Sequence, residues 1–184
     1  IDLGWLTSWW LDDISEDGGT ILFHDETAVY LRRTDGSPAV RLLPQVRNEK
    51  SSLSPDGNWV LSPSESGREL RLIPTGPGQD RRISMGELVL ENSRFMPDGR
   101  SILFTATGKD GQKRLYITDE TSKAPRAITD TGRPSEWVVS PDGKEIAVND
   151  AAGGLRIYRL DGSPSRAVAG LDREDSLVAW GADR

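Results

Sequence analysis

Short apolar segments, separated by polar turns, recur along the whole chain of 184 residues. Several alternate between apolar and polar positions, as at residues 69–73 (Glu-Leu-Arg-Leu-Ile) and 155–158 (Leu-Arg-Ile-Tyr). Such alternation is typical of half-buried β-strands. The 19 Gly and 11 Pro residues argue against long helices. The pattern therefore predicts an all-β protein built from many short strands.

One turn motif recurs at a nearly constant interval. Ser-Pro-Asp-Gly at residues 54–57 returns at 140–143, as Met-Pro-Asp-Gly at 96–99, and in the degenerate form Ser-Glu-Asp-Gly at 15–18. The aspartates of successive copies are 39, 42 and 44 residues apart. Pro presets the turn, Asp bonds to nearby backbone and Gly supplies positive φ. The residues expected to be structural in these turns are Asp17, Gly18, Asp56, Gly57, Asp98, Gly99, Asp142 and Gly143.

Each turn lies in a unit of four predicted strands. Because one four-stranded sheet cannot bury both its faces, equal units of this length indicate sheets stacked around an axis, as in a β-propeller. A β-sandwich of meanders is the alternative, but it does not require equal units. We predict blades at about residues 9–50, 51–92, 93–136 and 137–175, with 176–184 starting a further blade.

The Ser-Pro-Asp-Gly turn followed by an apolar strand resembles the repeat of TolB-type, WD40-like propellers. Residues 5–9, 15–23 and 29–42 are similar to propellers attached to bacterial serine/threonine kinases. The resemblance implies six or more blades in the intact ring, of which about four and a half are present, so the chain is expected to be part of a larger or assembled propeller. It favours a periplasmic or extracellular location, with the cytoplasm as the alternative. The sequence contains no kinase motif.

Candidate catalytic groups form no recognisable pattern. His24 is the single histidine and is expected to be a solvated loop residue, and cysteine is absent. Histidine clusters and thiolate metal sites are therefore excluded. The carboxylates, among them Asp12, Asp13 and Asp25, are expected to form a solvated acidic surface; a calcium ion in an acidic loop stays open, although no twelve-residue calcium loop occurs. We predict no enzyme activity, no catalytic residue, no cofactor and no metal.

Charge restricts the partners. The net charge is −6 and the Lys and Arg residues are not clustered, which argues against nucleic acid and anionic membranes. No run of 18 apolar residues is present, so membrane insertion is not expected. A protein or peptide partner is the prediction that remains, together with self-association through an incomplete propeller.

A partner is expected at the mouth of the central channel and on the rim opposite the Asp-Gly turns. The loops there vary while the strands repeat, which is typical of a binding face on a rigid scaffold. Their acidic lean favours a basic partner. The candidate rim residues are His24, Asp25, Glu26, Arg47, Glu49, Glu65, Glu91, Lys109, Asp110, Arg133, Glu136, Asp150, Arg173 and Asp175.

The six tryptophans are expected to play two roles. Trp59, Trp137 and Trp180 occupy strand positions and are predicted to belong to the core. Those before the first turn, among them Trp9 and Trp10, either form the inner strand of the first blade or pack against another blade.

These observations predict a non-enzymatic propeller that binds a protein or peptide, as a sensor or interaction region of a larger bacterial protein. Two alternatives stay open. One is a propeller accessory to a peptidase or hydrolase, as in prolyl-oligopeptidase-type peptidases. The other is a structural module that assembles through open blade edges.

Overall fold

The computed structural model describes residues 9–44, 51–130, 134–150, 154–170, 177 and 179–181, without the side chains of Ser135 and Asp150. These residues form sixteen β-strands and no helix. No helix among them could therefore cross a membrane. The strands make four antiparallel sheets of four strands each, paired in chain order within every sheet.

The sheets follow one another along the chain. The first sheet contains β1 (Trp10–Ile14), β2 (Thr20–His24), β3 (Ala28–Arg33) and β4 (Val40–Pro44), and the second contains β5 (Ser52–Leu53), β6 (Trp59–Pro63), β7 (Glu69–Pro74) and β8 (Arg81–Ser84). The third contains β9 (Val89–Phe95), β10 (Ile102–Thr107), β11 (Lys113–Thr118) and β12 (Arg126–Ala127), and the fourth contains β13 (Pro134–Val139), β14 (Glu145–Asp150), β15 (Leu155–Arg159) and β16 (Arg166–Ala167). The predicted all-β class with four-stranded units is confirmed.

Two first strands begin earlier than the sequence suggested. β9 begins at Val89, which pairs with Thr107, and the register shifts at Glu91. β13 begins at Pro134, with a similar shift before Glu136. The predicted divisions after residues 92 and 136 therefore fall inside strands rather than between sheets. A bulge interrupts the alternation from which strand limits are read; the other blade limits stay predictions.

The turn between the first two strands of a sheet forms a closed set of hydrogen bonds. In the second sheet, Gly57 has a φ of +69° and its N–H donates to the carbonyl oxygen of Ser54 over 2.8 Å. The Ser54 hydroxyl donates to Asp56 over 2.6 Å and accepts the N–H of Trp59 over 2.9 Å. The turn thus satisfies its own polar groups within a few residues.

The third sheet achieves the same turn with different groups. Met96 has no hydroxyl, and Asp98 instead accepts the N–H of Ser101 over 2.8 Å and its hydroxyl over 2.7 Å. Ser15 and Ser140 repeat the bonds made by Ser54. The four turns therefore share a backbone shape, although one of them lacks the serine.

Apolar clusters fill the space between successive sheets. Between the first and second sheets lie Leu22, Val29, Leu43, Leu53, Val60 and Ile73. Between the second and third lie Leu61, Leu70, Leu72, Met85, Leu90, Phe95, Ile102, Phe104, Ala106 and Tyr116, and between the third and fourth lie Met96, Leu103, Leu115, Ile146 and Val148. Within the described residues, no apolar cluster joins the first sheet to the fourth.

Candidate binding site

The first strands of the four sheets line one polar cavity of about 330 Å³. Asp12 comes from β1, Ser52 from β5, Arg94 from β9 and Trp137 from β13. Because every sheet contributes, the cavity lies on the axis around which the sheets are arranged. We call it the channel cavity; its remaining lining residues are Ser51, Asn92, Ser93, Glu136, Val138 and Leu177.

Two aspartates from β1 connect the sheets around this cavity. The side chain of Asp12 is fully buried; its Oδ1 lies 2.7 Å from Nδ1 of His24, and its Oδ2 accepts the N–H of Ser51 over 3.4 Å. Asp13 accepts the N–H of Leu53 over 2.9 Å. The expectation of a solvated surface is wrong for both aspartates, because the bulge between Leu11 and Asp13 turns them toward neighbouring backbone.

Arg94 crosses from the third sheet to the first. Its guanidinium lies 3.4 Å from Asp13, whose side chain is only 14% exposed while that of Arg94 is 57% exposed. A pair with this length and exposure is weak, so the guanidinium can exchange Asp13 for another acceptor at little cost. Arg94 is thus a weakly paired positive charge in a wall that also carries Glu136.

Three serine hydroxyls at the channel cavity have no hydrogen-bond partner among the described residues. Ser51, Ser52 and Ser93 are 2%, 3% and 2% exposed. Buried hydroxyls almost always have a partner, and one without a partner loses about 1–3 kcal/mol. Water or another polar molecule in a cavity is the usual partner of such groups.

A larger cavity of about 680 Å³ adjoins the first, since Arg94, Trp137 and Val138 line both. It opens on the side of the Ser-Pro-Asp-Gly turns, and much of its wall is apolar. We call it the turn-side cavity; its apolar lining includes Ile14, Leu53, Pro55, Phe95, Met96, Pro97, Val139, Pro141, Ala179 and Trp180. The two cavities together offer a polar end and an apolar end.

His24 does not lie in a solvated loop. It ends β2, it is 8% exposed, and its ring stacks on that of Trp10 with centroids 5.3 Å apart. The prediction of a solvated loop residue is wrong because the strand extends one residue further and Asp12 provides a buried partner. His24 supports the channel wall from behind rather than presenting itself on the rim.

Other predicted rim residues form local pairs. Asp25 accepts the N–H groups of Thr27 and Ala28 over 2.7 and 2.8 Å. Burial by itself would raise the pKa of Asp25, but hydrogen bonds from Thr27, Ala28 and Tyr30 lower it. Asp110 forms an ion pair with Arg114 over 2.7 Å. This contact lowers the pKa of Asp110 the most, and the hydrogen bond from the backbone N–H of Gln112 lowers it further.

The remaining rim candidates are spread over different places. Lys109 pairs with Glu87, which brings a loop of the third sheet next to the connection from the second. Glu91 lies in β9 and pairs with Lys113, while Glu136 lines the channel cavity and accepts the N–H of Leu177 over 3.2 Å. Glu26 and Glu65 are exposed in turns. Arg47, Glu49, Arg133, Arg173, Asp175 and the side chain of Asp150 lie outside the described residues.

The tryptophans follow the predicted division only in part. Trp59 and Trp137 are half-buried and pack against the apolar clusters. Trp180 is half-buried in the wall of the turn-side cavity. Trp9 and Trp10 are 42% and 48% exposed, and Trp10 begins the inner strand of the first sheet.

Metal ligation has no candidate in the described part of the chain, where no three His, Asp or Glu side chains cluster. The channel therefore offers hydroxyls, carboxylates and one guanidinium for recognising a polar molecule.

Comparison with solved structures identifies the architecture. The structure is similar to TolB from Acinetobacter baumannii, with a TM-score of 0.68 and 19% identity, over 87% of this chain and 43% of that one. A protein assigned as TolB from Agrobacterium tumefaciens gives a TM-score of 0.65 and 21% identity, over 84% of this chain and 62% of that one. The chain has a TolB-like β-propeller fold. The predicted TolB-type resemblance is confirmed, while attachment to a kinase stays a prediction.

The TolB-like fold also occurs in an enzyme. Hydrazine synthase from Kuenenia stuttgartiensis matches with a TM-score of 0.64 and 16% identity, over 85% of this chain and 48% of that one. The chain thus spans between 43% and 62% of the length of these structures. No protein-family model matches the sequence, and no curated protein does. At these identities the similarity concerns the fold alone.

Of the residues that line the channel of this TolB-like propeller, Glu136 was a sequence-based candidate and the others were not. Ser51, Ser52, Ser93 and Arg94 stand two or three positions before the repeated turn, as do Asp12 and Asp13 in the first unit. A comparison of this position across the repeats would have found them, because the strand before each turn is the innermost one.

Proposed function

We propose that this TolB-like propeller is a non-enzymatic scaffold that binds a protein or peptide segment in its axial channel. It serves as the sensor or interaction region of a larger bacterial protein. Repeated sheets hold the channel walls rigidly, so that binding requires little reorganisation of the scaffold.

The observation that carries this proposal is the set of three buried serine hydroxyls without partners around the channel cavity. A peptide carries one N–H donor and one carbonyl acceptor at nearly every residue. A segment entering the channel can therefore complete the hydrogen bonds of Ser51, Ser52 and Ser93 with its backbone. The adjoining turn-side cavity accepts an apolar or aromatic side chain of the same segment.

Electrostatics favours a peptide with a positive group. Asp12 and Glu136 line the channel cavity with Arg94, Asp13 lines the adjoining cavity, and the chain as a whole carries a charge of −6. A lysine or arginine of the partner can replace the weak contact between Arg94 and Asp13. The predicted basic partner therefore fits the channel mouth.

A displayed library of random peptides, selected against the full chain, tests the proposal. Selected peptides are synthesised, and their dissociation constants are measured by fluorescence anisotropy. We expect Ser52→Val and Asp13→Asn to weaken binding about tenfold each, which corresponds to the loss of one hydrogen bond to a charged or buried group.

A matched control is Lys123→Ala, an exposed residue outside both cavities. It should leave the dissociation constants unchanged. Failure to select any peptide, or equal binding by all three variants, would contradict channel binding. Circular dichroism of each variant shows whether a loss of binding reflects unfolding.

A further inference from the structure

The described lining of the channel cavity carries more negative than positive charge. Asp12 and Glu136 contribute two carboxylates, and Arg94 contributes one guanidinium. This guanidinium lies 3.4 Å from the carboxylate of Asp13 in the adjoining cavity, which offsets its charge. A cleft lined mainly by one sign of charge attracts ions of the opposite sign. The charge of the wall therefore favours a positively charged group in the channel cavity.

The unpartnered groups of this cavity are hydroxyl oxygens. Ser51, Ser52 and Ser93 are almost fully buried, and their Oγ atoms have no hydrogen-bond partner among the described residues. Each hydroxyl oxygen has two lone pairs and can accept a hydrogen bond from a cationic donor. The first two serines belong to the second sheet and Ser93 to the third, so the acceptors reach the cavity from more than one sheet.

Of the two carboxylates in the wall, Glu136 has the greater capacity for another donor. Asp12 is fully buried, and its two oxygens already contact His24 and the N–H of Ser51. Glu136 is exposed and accepts the N–H of Leu177 over 3.2 Å. Because a carboxylate can accept about four hydrogen bonds, Glu136 can also accept a charged donor that enters the cavity.

The arrangement of acceptors suits an ammonium group better than a guanidinium. An ammonium is compact and donates three hydrogen bonds in tetrahedral directions, whereas a guanidinium is planar and pairs best with both oxygens of one carboxylate. The cavity provides separate hydroxyl oxygens on two sheets, and its most available carboxylate already accepts a backbone N–H. The indole ring of Trp137 lines the same wall, and aromatic rings attract cations that lie over their faces.

The dimensions fit an ammonium that is carried by an alkyl chain. The channel cavity of about 330 Å³ has the volume of about ten water molecules, which is more than a bare ammonium ion fills. Trp137 and Val138 continue from this cavity into the turn-side cavity, where much of the wall is apolar. An alkyl chain can therefore lie along these two residues while its charged end stays among the hydroxyls.

We propose that the channel cavity binds a primary ammonium group on an alkyl chain, with Glu136 as its counter-charge and the three serine hydroxyls as acceptors. The lysine side chain of a bound peptide is one source of this group, and that part rests on the proposed function. A free alkylamine is the other source and presents the same chemistry. Arg94 opposes binding, because it places a like charge in the same wall.

Titration of the isotope-labelled full chain with n-butylammonium chloride, followed by the NMR shifts of backbone amides, tests the site without a peptide. We expect saturable shifts at Ser52, Ser93 and Glu136, and weaker binding of n-butylguanidinium and n-butanol. Glu136→Gln should weaken the binding of n-butylammonium about fivefold, because the counter-charge is lost. Arg94→Gln should strengthen it about threefold, because a like charge is removed and Asp13 loses its partner.

Glu120→Gln is the matched control, since Glu120 is an exposed carboxylate in a weak ion pair outside both cavities. It should leave the binding of n-butylammonium unchanged. Equal binding of n-butanol would overturn the proposal, and so would weaker binding of n-butylammonium by Arg94→Gln. The absence of any saturable shift would also overturn it, because water alone would then satisfy the hydroxyls.

Peptides selected against the channel separate this inference from the proposed function. Replacement of their lysine by norleucine should weaken binding about tenfold, and replacement by arginine about threefold. Channel-binding peptides that lose nothing with norleucine would contradict the ammonium site and leave the peptide-binding scaffold standing. Saturable binding of n-butylammonium, when no peptide binds the channel, would support the ammonium site and contradict the scaffold.

Discussion

Two stacked Phe–Tyr pairs occupy equivalent places in the first and third sheets. Phe104 and Tyr116 pack against leucines of the second sheet, in the largest apolar cluster of the described residues. Phe23 and Tyr30 share a small cluster with Ile21 and Ala39. The strand register gives both ring pairs the same stacking geometry. The packing against a neighbouring sheet determines how much each pair contributes to the free energy of unfolding. Local geometry and stability therefore have separate origins in a repeated fold.

Truncation of the two phenylalanines should break this equivalence with the largest changes in stability. We expect Phe104→Ala to lower the free energy of unfolding by about 4 kcal/mol, because it leaves a cavity between two sheets. Phe23→Ala should lower it by about 3 kcal/mol, because the ring is equally buried but belongs to a smaller apolar cluster. Urea denaturation curves, recorded at one fixed protein concentration, measure both losses of stability. Equal losses would mean that the two faces are equally packed.

Substitutions of the residue immediately before the turn should give the next largest change in the free energy of unfolding. Phe95→Ala should lower the free energy of unfolding by about 3 kcal/mol, because Phe95 is almost fully buried. Ile14→Ala should change it by about 0.5 kcal/mol or less in dilute solution, because Ile14 is half exposed. Thermal or urea unfolding of both variants checks this pair. A large effect of Ile14→Ala that grows with protein concentration would indicate burial in an assembly.

The turn serine allows a comparison in which the hydrogen bonds are matched and only burial differs. Ser54 is 2% exposed and Ser15 is half-buried, although both bind an aspartate and a backbone N–H. Ser54→Ala should lower the free energy of unfolding by about 1–2 kcal/mol, because a half-buried N–H of Trp59 loses its acceptor. Ser15→Ala should have a smaller effect. The reverse order in urea denaturation would contradict the role of burial.

The loss of the Asp56 charge in acid should produce the smallest difference in stability. The Ser54 hydroxyl, together with the backbone and side chain of Asn58, lowers the pKa of Asp56 below its ordinary value of 3.8. The ionised carboxylate therefore stabilises the fold above pH 3.8, and this contribution is lost as the pH falls through the lowered pKa. Asp56→Asn should destabilise the protein near neutral pH, and the difference should shrink in acid. A difference independent of pH would show that the charge of Asp56 is unimportant.

The repeated turn carried most of the information about the fold. Residues 54–57, 96–99 and 140–143 mark the hairpins, and the apolar segments after them became β6, β10 and β14. Each turn closes through bonds between residues at most five apart, so its sequence is enough to define it. Bulges were not predictable, because Glu91 in β9 looks like any polar residue of a connection.

The site was harder to predict because it depends on contacts between distant residues. The partner of His24 is Asp12, and Arg94 reaches Asp13 across 81 residues of chain. Neither pairing leaves a local pattern. The three unpartnered serines belong to the first strands, and their burial follows only from the arrangement of all four sheets.

Among the residues that the structure describes, the apolar clusters join only sheets that follow one another in the chain. Cooperativity in such a stack is passed between nearest neighbours, as in other repeat proteins. Opening the molecule from one end then removes one interface at a time, whereas opening it in the middle removes two. We therefore expect amide hydrogens in β6 and β10 to exchange with solvent more slowly than those in β2 and β14, a gradient that hydrogen–deuterium exchange can follow residue by residue.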